Sequence, residues 1–315
     1  MAGSRQTKQK KGGEVMIALL GVTGAGKSTF ASIASGTQLE IGHGVDPCTQ
    51  EPATVRFDLD GRSIIIIDTP GFDDDKRSDV QILEAIYKWM TSRKGFYKHY
   101  ALDGLIFLHP VTLNRVGGAE RKRTRLLEKI LGREAYKRVI IATTMWDDLR
   151  SDEIATSRLK GRHGEGGVWN EMLSKGAIMR RHSNNQESAH KIIREVIAAS
   201  DKYGKVKFLV EDELARNQGR VVRTSAGKEL KERITEELSL LRVQLDEHWQ
   251  DRPSRPSKKG NGQYDKKDPK WGPWDEWETE RRSLDRKIEA KESDLKQLNS
   301  MVFRIIKLFG RIFAG

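Results

Sequence analysis

The chain has 315 residues, with 57 Lys and Arg against 45 Asp and Glu, a formal net charge of +12. A hydrophobic fraction of 37% allows a sizeable core, no apolar run reaches the ~20 residues of a spanning helix, and a single cysteine, Cys48, excludes an internal disulfide and a Cys-cluster zinc site. The basic balance suits a polyanion (nucleotide phosphate, nucleic acid or anionic membrane), or else reflects Lys- and Arg-rich helix faces that are merely solvated.

Residues 1–13 are polar and basic (Arg5, Lys8, Lys10, Lys11), lack the apolar stretch of a signal peptide, and read as a disordered tail in a cytoplasmic protein. From residue 14 to 204 strand and helix signals alternate. Val15–Leu20 is an apolar run ending at a glycine turn, and Ser28–Ala34 follows as a helix. Thr54–Leu59 and Ser63–Ile67 are strands joined at Asp60-Gly61, a hairpin turn signal. Val80–Met90 has helical spacing, Leu105–Leu108 is a strand, Arg121–Leu131 a helix and Val139–Ala142 a strand. Ile178–Arg180 and a helix over Ala189–Ala199 close the series. This order predicts an α/β fold: a mostly parallel sheet with helices on both faces and one antiparallel edge strand.

The strand signals then stop. Residues 205–250 read as one long helix, with Leu230, Ile234, Leu238, Leu241, Leu245 and Trp249 forming an apolar stripe. Residues 251–273, rich in Pro, Gly, Ser and Lys, read as a flexible linker. Residues 274–315 read as a second long helix, with Ile288, Leu295, Val302 and Phe309 recurring every seven residues beside Leu284, Leu298, Ile305 and Ile312. Such a coiled-coil-like extension forms either an antiparallel hairpin or a coiled coil between chains.

Three loops carry chemistry. Gly21-Val22-Thr23-Gly24-Ala25-Gly26-Lys27-Ser28 matches GxxxxGKS, placed between an apolar strand and a helix. Here Gly21, Thr23, Gly24, Ala25, Gly26 and Thr29 offer backbone N–H groups and a helix N-terminus to phosphate. Lys27 reaches the β- and γ-phosphates, and Ser28 ligates Mg²⁺. Asp68-Thr69-Pro70-Gly71 follows the run Ile64–Ile67; Asp68 is suited to hold a Mg²⁺-bound water and Gly71 to bond the γ-phosphate. A threonine between these motifs completes the metal contacts. Thr49 is favoured over Thr54, because Gly42–Pro52 reads as a loop. Phe72 stands where many GTPases carry a water-orienting glutamine, which predicts slow hydrolysis by the isolated monomer. The third loop, Thr144-Met145-Trp146-Asp147, is an N/T-K-x-D motif with Met in place of Lys. Thr144 and Asp147 are the guanine-reading candidates, unless Asp147 or Asp148 caps a helix instead. His182 and Asn184, in Arg181-His182-Ser183-Asn184-Asn185, are further base-contact candidates in a segment that reads equally as a turn.

Together these motifs resemble the septin-related (paraseptin) GTPases, which include the plant avirulence-induced and vertebrate immunity-associated (GIMAP) proteins. The resemblance rests on the GKST loop, Cys48–Glu51, IDTPGF at Ile67–Phe72 and the paired Asn near Asn184. Leu105–Gly118 and Thr143–Asp147 are similar to G-domain proteins of filamentous fungi. The resemblance implies a Ras-like P-loop G domain with an extra helical insertion, GTP or GDP with Mg²⁺ as ligands, and dimers across the nucleotide face. It also puts Arg115 where an arginine acts across such a dimer; the alternative is a plain surface arginine.

Residues 301–315 combine large apolar side chains with Arg304, Lys307 and Arg311, which suits either a membrane interface or packing on the other long helix. The expected function is a GTP-binding switch with slow, dimerisation-stimulated hydrolysis. A nucleotide-dependent scaffold, assembled through the nucleotide face or the C-terminal helices, is the second reading. No specific nucleic-acid motif is present, and the basic segment Lys258–Lys270 is weak evidence for that third class.

Overall fold

The computed structural model describes residues 12–37, 53–68, 78–91, 102–114, 116–259 and 262–302. Among them six strands form one sheet: β1 (Gly12–Gly21), β2 (Ala53–Leu59), β3 (Arg62–Asp68), β4 (Gly104–Pro110), β5 (Val139–Thr144) and β6 (Ile178–Arg181). The order across the sheet is β2-β3-β1-β4-β5-β6, with β2 antiparallel to β3 and every other pairing parallel. The predicted hairpin turn is in place, with Asp60 and Gly61 both at positive φ.

The helices are α1 (Lys27–Ser35), α2 (Asp79–Thr91), α3 (Gly118–Leu131), α4 (Asp152–His163), α5 (Asn170–Ser174), α6 (Gln186–Tyr203), α7 (Leu209–Arg216), α8 (Ser225–Gln250) and α9 (Trp271–Ser300). They cover both faces of the sheet. Along β1, Val15, Ile17 and Leu19 pack with Phe30 and Ala31 of α1 and with Ile192, Ile193 and Val196 of α6. Met16, Ala18 and Leu20 point the other way, into a core shared with Leu83 and Tyr87 of α2 and Leu126 and Ile130 of α3. A strand buried on both faces reads as an unbroken apolar run, which is why β1 and β3 stand out in the sequence.

The C-terminal elements join that second core. Val210 and Leu214 of α7, Leu230, Ile234 and Leu238 of α8, and Leu298 of α9 belong to the same buried cluster. Helices α8 and α9 run antiparallel within the chain: Arg242 bonds Glu292 at 2.7 Å and Lys291 pairs with Glu237 at 2.6 Å. Glu237 also accepts from Lys122 of α3, so one carboxylate joins the hairpin to the sheet-covering helices.

Several boundaries differ from the sequence reading. The first strand starts at Gly12, inside the segment expected as a tail. The single helix expected over 205–250 is divided into α7, a 3-10 turn at Val221–Arg223, and α8. Gln218 and Gly219 at positive φ stop α7, and Thr224 restarts the helix by accepting from the Gly227 N–H. Within 251–273, expected as a linker, Asp268 accepts hydrogen bonds from the backbone N–H groups of Ser257 and Lys270, and Lys258 bridges to Tyr264. The last helix begins at Trp271 rather than 274. It ends at Ser300, where Met301 turns extended and Val302 pairs with Arg220, so the heptad does not continue as helix through Val302. Residues 303–315 lie outside the described residues. Among those described, no helix is long and apolar enough to cross a membrane.

Candidate nucleotide-binding site

The site forms where the carboxyl ends of β1, β3, β5 and β6 meet the N-terminus of α1, the usual crevice of an open α/β sheet. Gly21 has φ 147°, and a Cβ there would lie 2.5 Å from the Leu108 carbonyl oxygen, so only glycine allows the chain to leave β1 this close to β4. The loop turns over a hydrogen bond from the Ala25 N–H to the Val22 carbonyl at 3.1 Å and enters α1 through Gly26 at φ 87°. Gly26 provides no side-chain cap, so the first N–H groups of α1 remain available to an anion. Thr23, Gly24 and Thr29 are exposed on the open side, whereas Ala25 is fully buried beneath.

Lys27 folds back over its own loop. Its Nζ donates to the Gly21 and Val22 carbonyls, both at 3.1 Å. Burial lowers its pKa, and the nearby Asp68 carboxylate offsets that shift only in part. Ser28 Oγ donates to Asp68 Oδ2 at 2.6 Å, while Asp68 Oδ1 is buried with no hydrogen-bond partner among the described residues. A hydroxyl and a carboxylate with a spare lone-pair oxygen form a hard oxygen donor set that fits Mg²⁺. Thr49, Gly71 and Phe72, named from the sequence, lie outside the described residues.

The base-reading candidates separate on inspection. Thr144 is buried, and its Oγ1 donates to the Ala25 carbonyl at 3.0 Å; it braces the phosphate loop from the end of β5. Met145 takes φ 61°, an unusual conformation for a side chain of this size. Its sulfur accepts from Thr112 Oγ1 at 3.7 Å. Trp146 folds back so that Nε1 donates to the Thr143 carbonyl and hydroxyl, and the Arg181 guanidinium lies 4.3 Å over its ring. The chain then emerges with Asp147 exposed. Neither Asp147 nor Asp148 caps a helix, because α4 starts after Ser151. Asn184 sits exposed at φ 51°, and its neighbour Asn185 caps α6 by accepting from the Ser188 N–H at 2.9 Å.

His182 departs from its expected role beside the base. It is only 4% exposed, its ring meets Phe30 edge-on at 4.9 Å, and Nδ1 is 2.8 Å from Ser188 Oγ. Burial pushes its pKa down to about 4, so it is a neutral packing residue at neutral pH.

Two arginines that the sequence reading did not select shape the loop after β4. Arg162 is 1% exposed, grips Glu120 through two bonds of 2.8 and 3.0 Å, and donates to the Leu113 carbonyl. Arg158 donates to the carbonyls of Val111 and Thr112. Both come from α4, so this helix fixes the chain entering position 115; Arg115 itself lies outside the described residues. No local signal in the sequence marks these contacts, which join residues more than 40 positions apart.

Residues 15–162 match the AIG1 family, just under half of the chain. That stretch includes the phosphate loop, Asp68 and Asp147. GTP-binding protein A of Dictyostelium discoideum is 26% identical over 141 residues, 44% of this chain and 30% of that protein; the match therefore spans less than a third of the relative's length. Among solved structures, Toc33 of Arabidopsis thaliana with GDP and Mg²⁺ is 17% identical over 63% of this chain and 89% of its own, with a TM-score of 0.45. The G domain of the T. maritima FeoB iron transporter is 19% identical over 59% and 99%, with a TM-score of 0.36.

Proposed function

We propose that this chain is an AIG1-type GTPase, a switch that binds GTP and GDP with Mg²⁺ and hydrolyses GTP slowly alone and faster as a dimer. The observation that carries this reading is the Ser28 hydroxyl 2.6 Å from Asp68, whose second oxygen is buried and has no hydrogen-bond partner among the described residues, next to a GKS phosphate loop. Ser28, Thr49 and, through water, Asp68 are the residues that would hold Mg²⁺, which supplies charge neutralisation at the phosphate oxygens. Lys27 exchanges two backbone carbonyls for phosphate oxygens, a stronger charge-assisted pairing. Asp147 is exposed at the strand end where a guanine-reading carboxylate is needed, and Thr144 supports the loop from below.

Slow hydrolysis follows from Phe72, which has no group to orient a water. Arg115 is the candidate for the missing charge, delivered across a dimer; the bracing of Val111, Thr112 and Leu113 by Arg158 and Arg162 supports that role by fixing the loop before it. A scaffold role has its own support in Leu240 and Val243 of α8, 58% and 53% exposed on a helix face available for assembly.

Titration with fluorescent GTP and ATP analogues in Mg²⁺, with Lys27→Ala as control, tests the reading. GTP-selective binding that disappears in the variant is expected. Equal binding of ATP would remove the guanine assignment. Turnover that rises with protein concentration, and loses that rise in Arg115→Ala, is expected of the dimer mechanism.

A further inference from the structure

The far end of the α8–α9 hairpin is a folded cap of rings and cations that the nucleotide site does not use. Trp277 and His248 stack at 5.1 Å and exchange hydrogen bonds: Trp277 Nε1 donates to the His248 carbonyl and His248 Nε2 to the Trp277 carbonyl, each at 2.8 Å. The Arg252 guanidinium lies 5.2 Å over Trp274, 5.3 Å over Trp249 and 5.7 Å over Trp277. Helical rise places this cap about 20 Å beyond Glu237, where α8 is last bonded to α3.

The outer surface of the cap is basic. Lys258, Lys259, Lys266, Lys267 and Lys270 are all exposed. The acids among them are engaged within the turn: Asp268 accepts from the Ser257 and Lys270 N–H groups, and Asp265 from the Lys267 N–H while pairing with Lys259. In the first turns of α9, among the cap's own Trp274 and Trp277, stand Asp275, Glu276, Glu278 and Glu280, with Glu278 paired to Arg281 and Arg282. The carboxylates of Asp275, Glu276 and Glu280 disfavour an anionic partner along that side of α9, and the lysines of the turn favour one. A nucleic acid lying along the hairpin meets Asp275, Glu276 and Glu280, and Trp274 and Trp277 are buried, so these two rings offer no face for base stacking. A flat anionic surface meets only the lysines. Trp249, 42% exposed at the rim, has the amphipathic character that suits a headgroup layer.

We propose that this basic and aromatic cap is a docking surface for anionic lipid headgroups, holding the hairpin tip-first against a membrane. Residues 303–315, which follow the opposite end of α9 in the sequence and lie outside the described residues, are no part of this proposal.

Flotation of the full chain with vesicles of phosphatidylcholine, alone or mixed with phosphatidylserine, tests it. The protein is expected to float with the anionic vesicles only and to be released by salt. The combined variant Lys258→Gln, Lys259→Gln, Lys266→Gln, Lys267→Gln is expected to bind about tenfold or more weakly, with circular dichroism and nucleotide binding unchanged. Arg304→Gln, Lys307→Gln, Arg311→Gln is expected to keep the binding that depends on the tip. The proposal is overturned if the quadruple variant floats like the wild type, or if the tail variant alone abolishes flotation. Binding of generic duplex RNA through the same lysines, without flotation, also overturns it and assigns the cap to nucleic acid.

Discussion

The Tyr87 hydroxyl lies 2.9 Å from Thr224 Oγ1, joining α2, the helix after the Asp68 loop, to the start of the C-terminal hairpin. Both residues are fully buried. Thr224 Oγ1 donates its one hydrogen to the Val221 carbonyl at 2.7 Å, so it accepts from Tyr87 and from the Gly227 N–H. Tyr87→Phe removes one donor and leaves Thr224 satisfied by Gly227, a loss of about 1 kcal/mol. Thr224→Val removes the shared acceptor of the Tyr87 hydroxyl and the Gly227 N–H, and with it the helix cap, a loss of about 2–4 kcal/mol. Urea unfolding of both variants checks the asymmetry. Equal losses would mean that the hydroxyl pair is not the feature that matters.

Thr144 Oγ1 and the Ala25 carbonyl, 3.0 Å apart, fasten the phosphate loop to β5. Thr144→Val keeps the shape and leaves a buried carbonyl unpaired. Stability is expected to fall by about 1–2 kcal/mol. Affinity for GTP and GDP is expected to fall together, several-fold, because the loop and not the base contact is loosened. Calorimetric titration with both nucleotides reads this. A loss confined to guanine over adenine selectivity would return Thr144 to the base-reading role.

What the sequence made legible follows physical lines. Strands covered on both sides appear as unbroken runs, as in Ile64–Ile67, and a phosphate loop has fixed spacing because backbone geometry demands it. Helix α4 did not show itself, because its buried face is Ala155, Leu159 and Arg162, and an arginine in the core erases the apolar stripe. The division of 205–250 left a local trace in Asn217-Gln218-Gly219, but the leucine spacing beyond it dominated the reading. The brace from Thr144 to Ala25 joins residues 119 apart, and a single chain read in order has no means of pairing them. His182 looked like a base contact because of its place after β6; only the packing of Phe30 against it reveals a core residue.

The Ser28–Asp68 pair predicts separable metal effects. Ser28→Ala removes a ligand candidate and also leaves Asp68 without the 2.6 Å donor that now holds it. Mg²⁺-dependent GTP affinity is expected to fall about tenfold or more. Binding measured in excess EDTA is expected to change much less, since Lys27 and the loop N–H groups remain. Asp68→Asn is expected to give the same pattern. If affinity in EDTA falls as far as affinity in Mg²⁺, the two residues support the loop instead of the metal.

His109, at the end of β4, gives the chain a pH-dependent element that a single substitution isolates. It is 2% exposed, sits edge-on to Trp169 at 4.7 Å, and has a buried Nε2 without a hydrogen-bond partner among the described residues. Burial, with the Arg162 charge adding to it, pushes its pKa down from 6.5 to about 3. The folded protein therefore keeps this ring neutral while the unfolded chain takes up a proton below about pH 6.5. Protonation of the unfolded state lowers stability as pH falls, by about 1.4 kcal/mol per pH unit for this one group, down to the folded value. His182 acts in the same direction. Glu211, raised to about 8 by burial, acts in the opposite one, because its folded form gains a proton first as pH drops. The wild-type profile mixes these signs, so the informative quantity is a difference. The stability gap between His109→Phe and wild type is expected to be constant above about pH 6.5 and to shift steadily in the variant's favour from there toward pH 3. Urea midpoints at a series of pH values measure it. A gap that does not move with pH would mean that the folded ring takes up its proton as readily as the unfolded one, and that the buried site next to Trp169 opens to water.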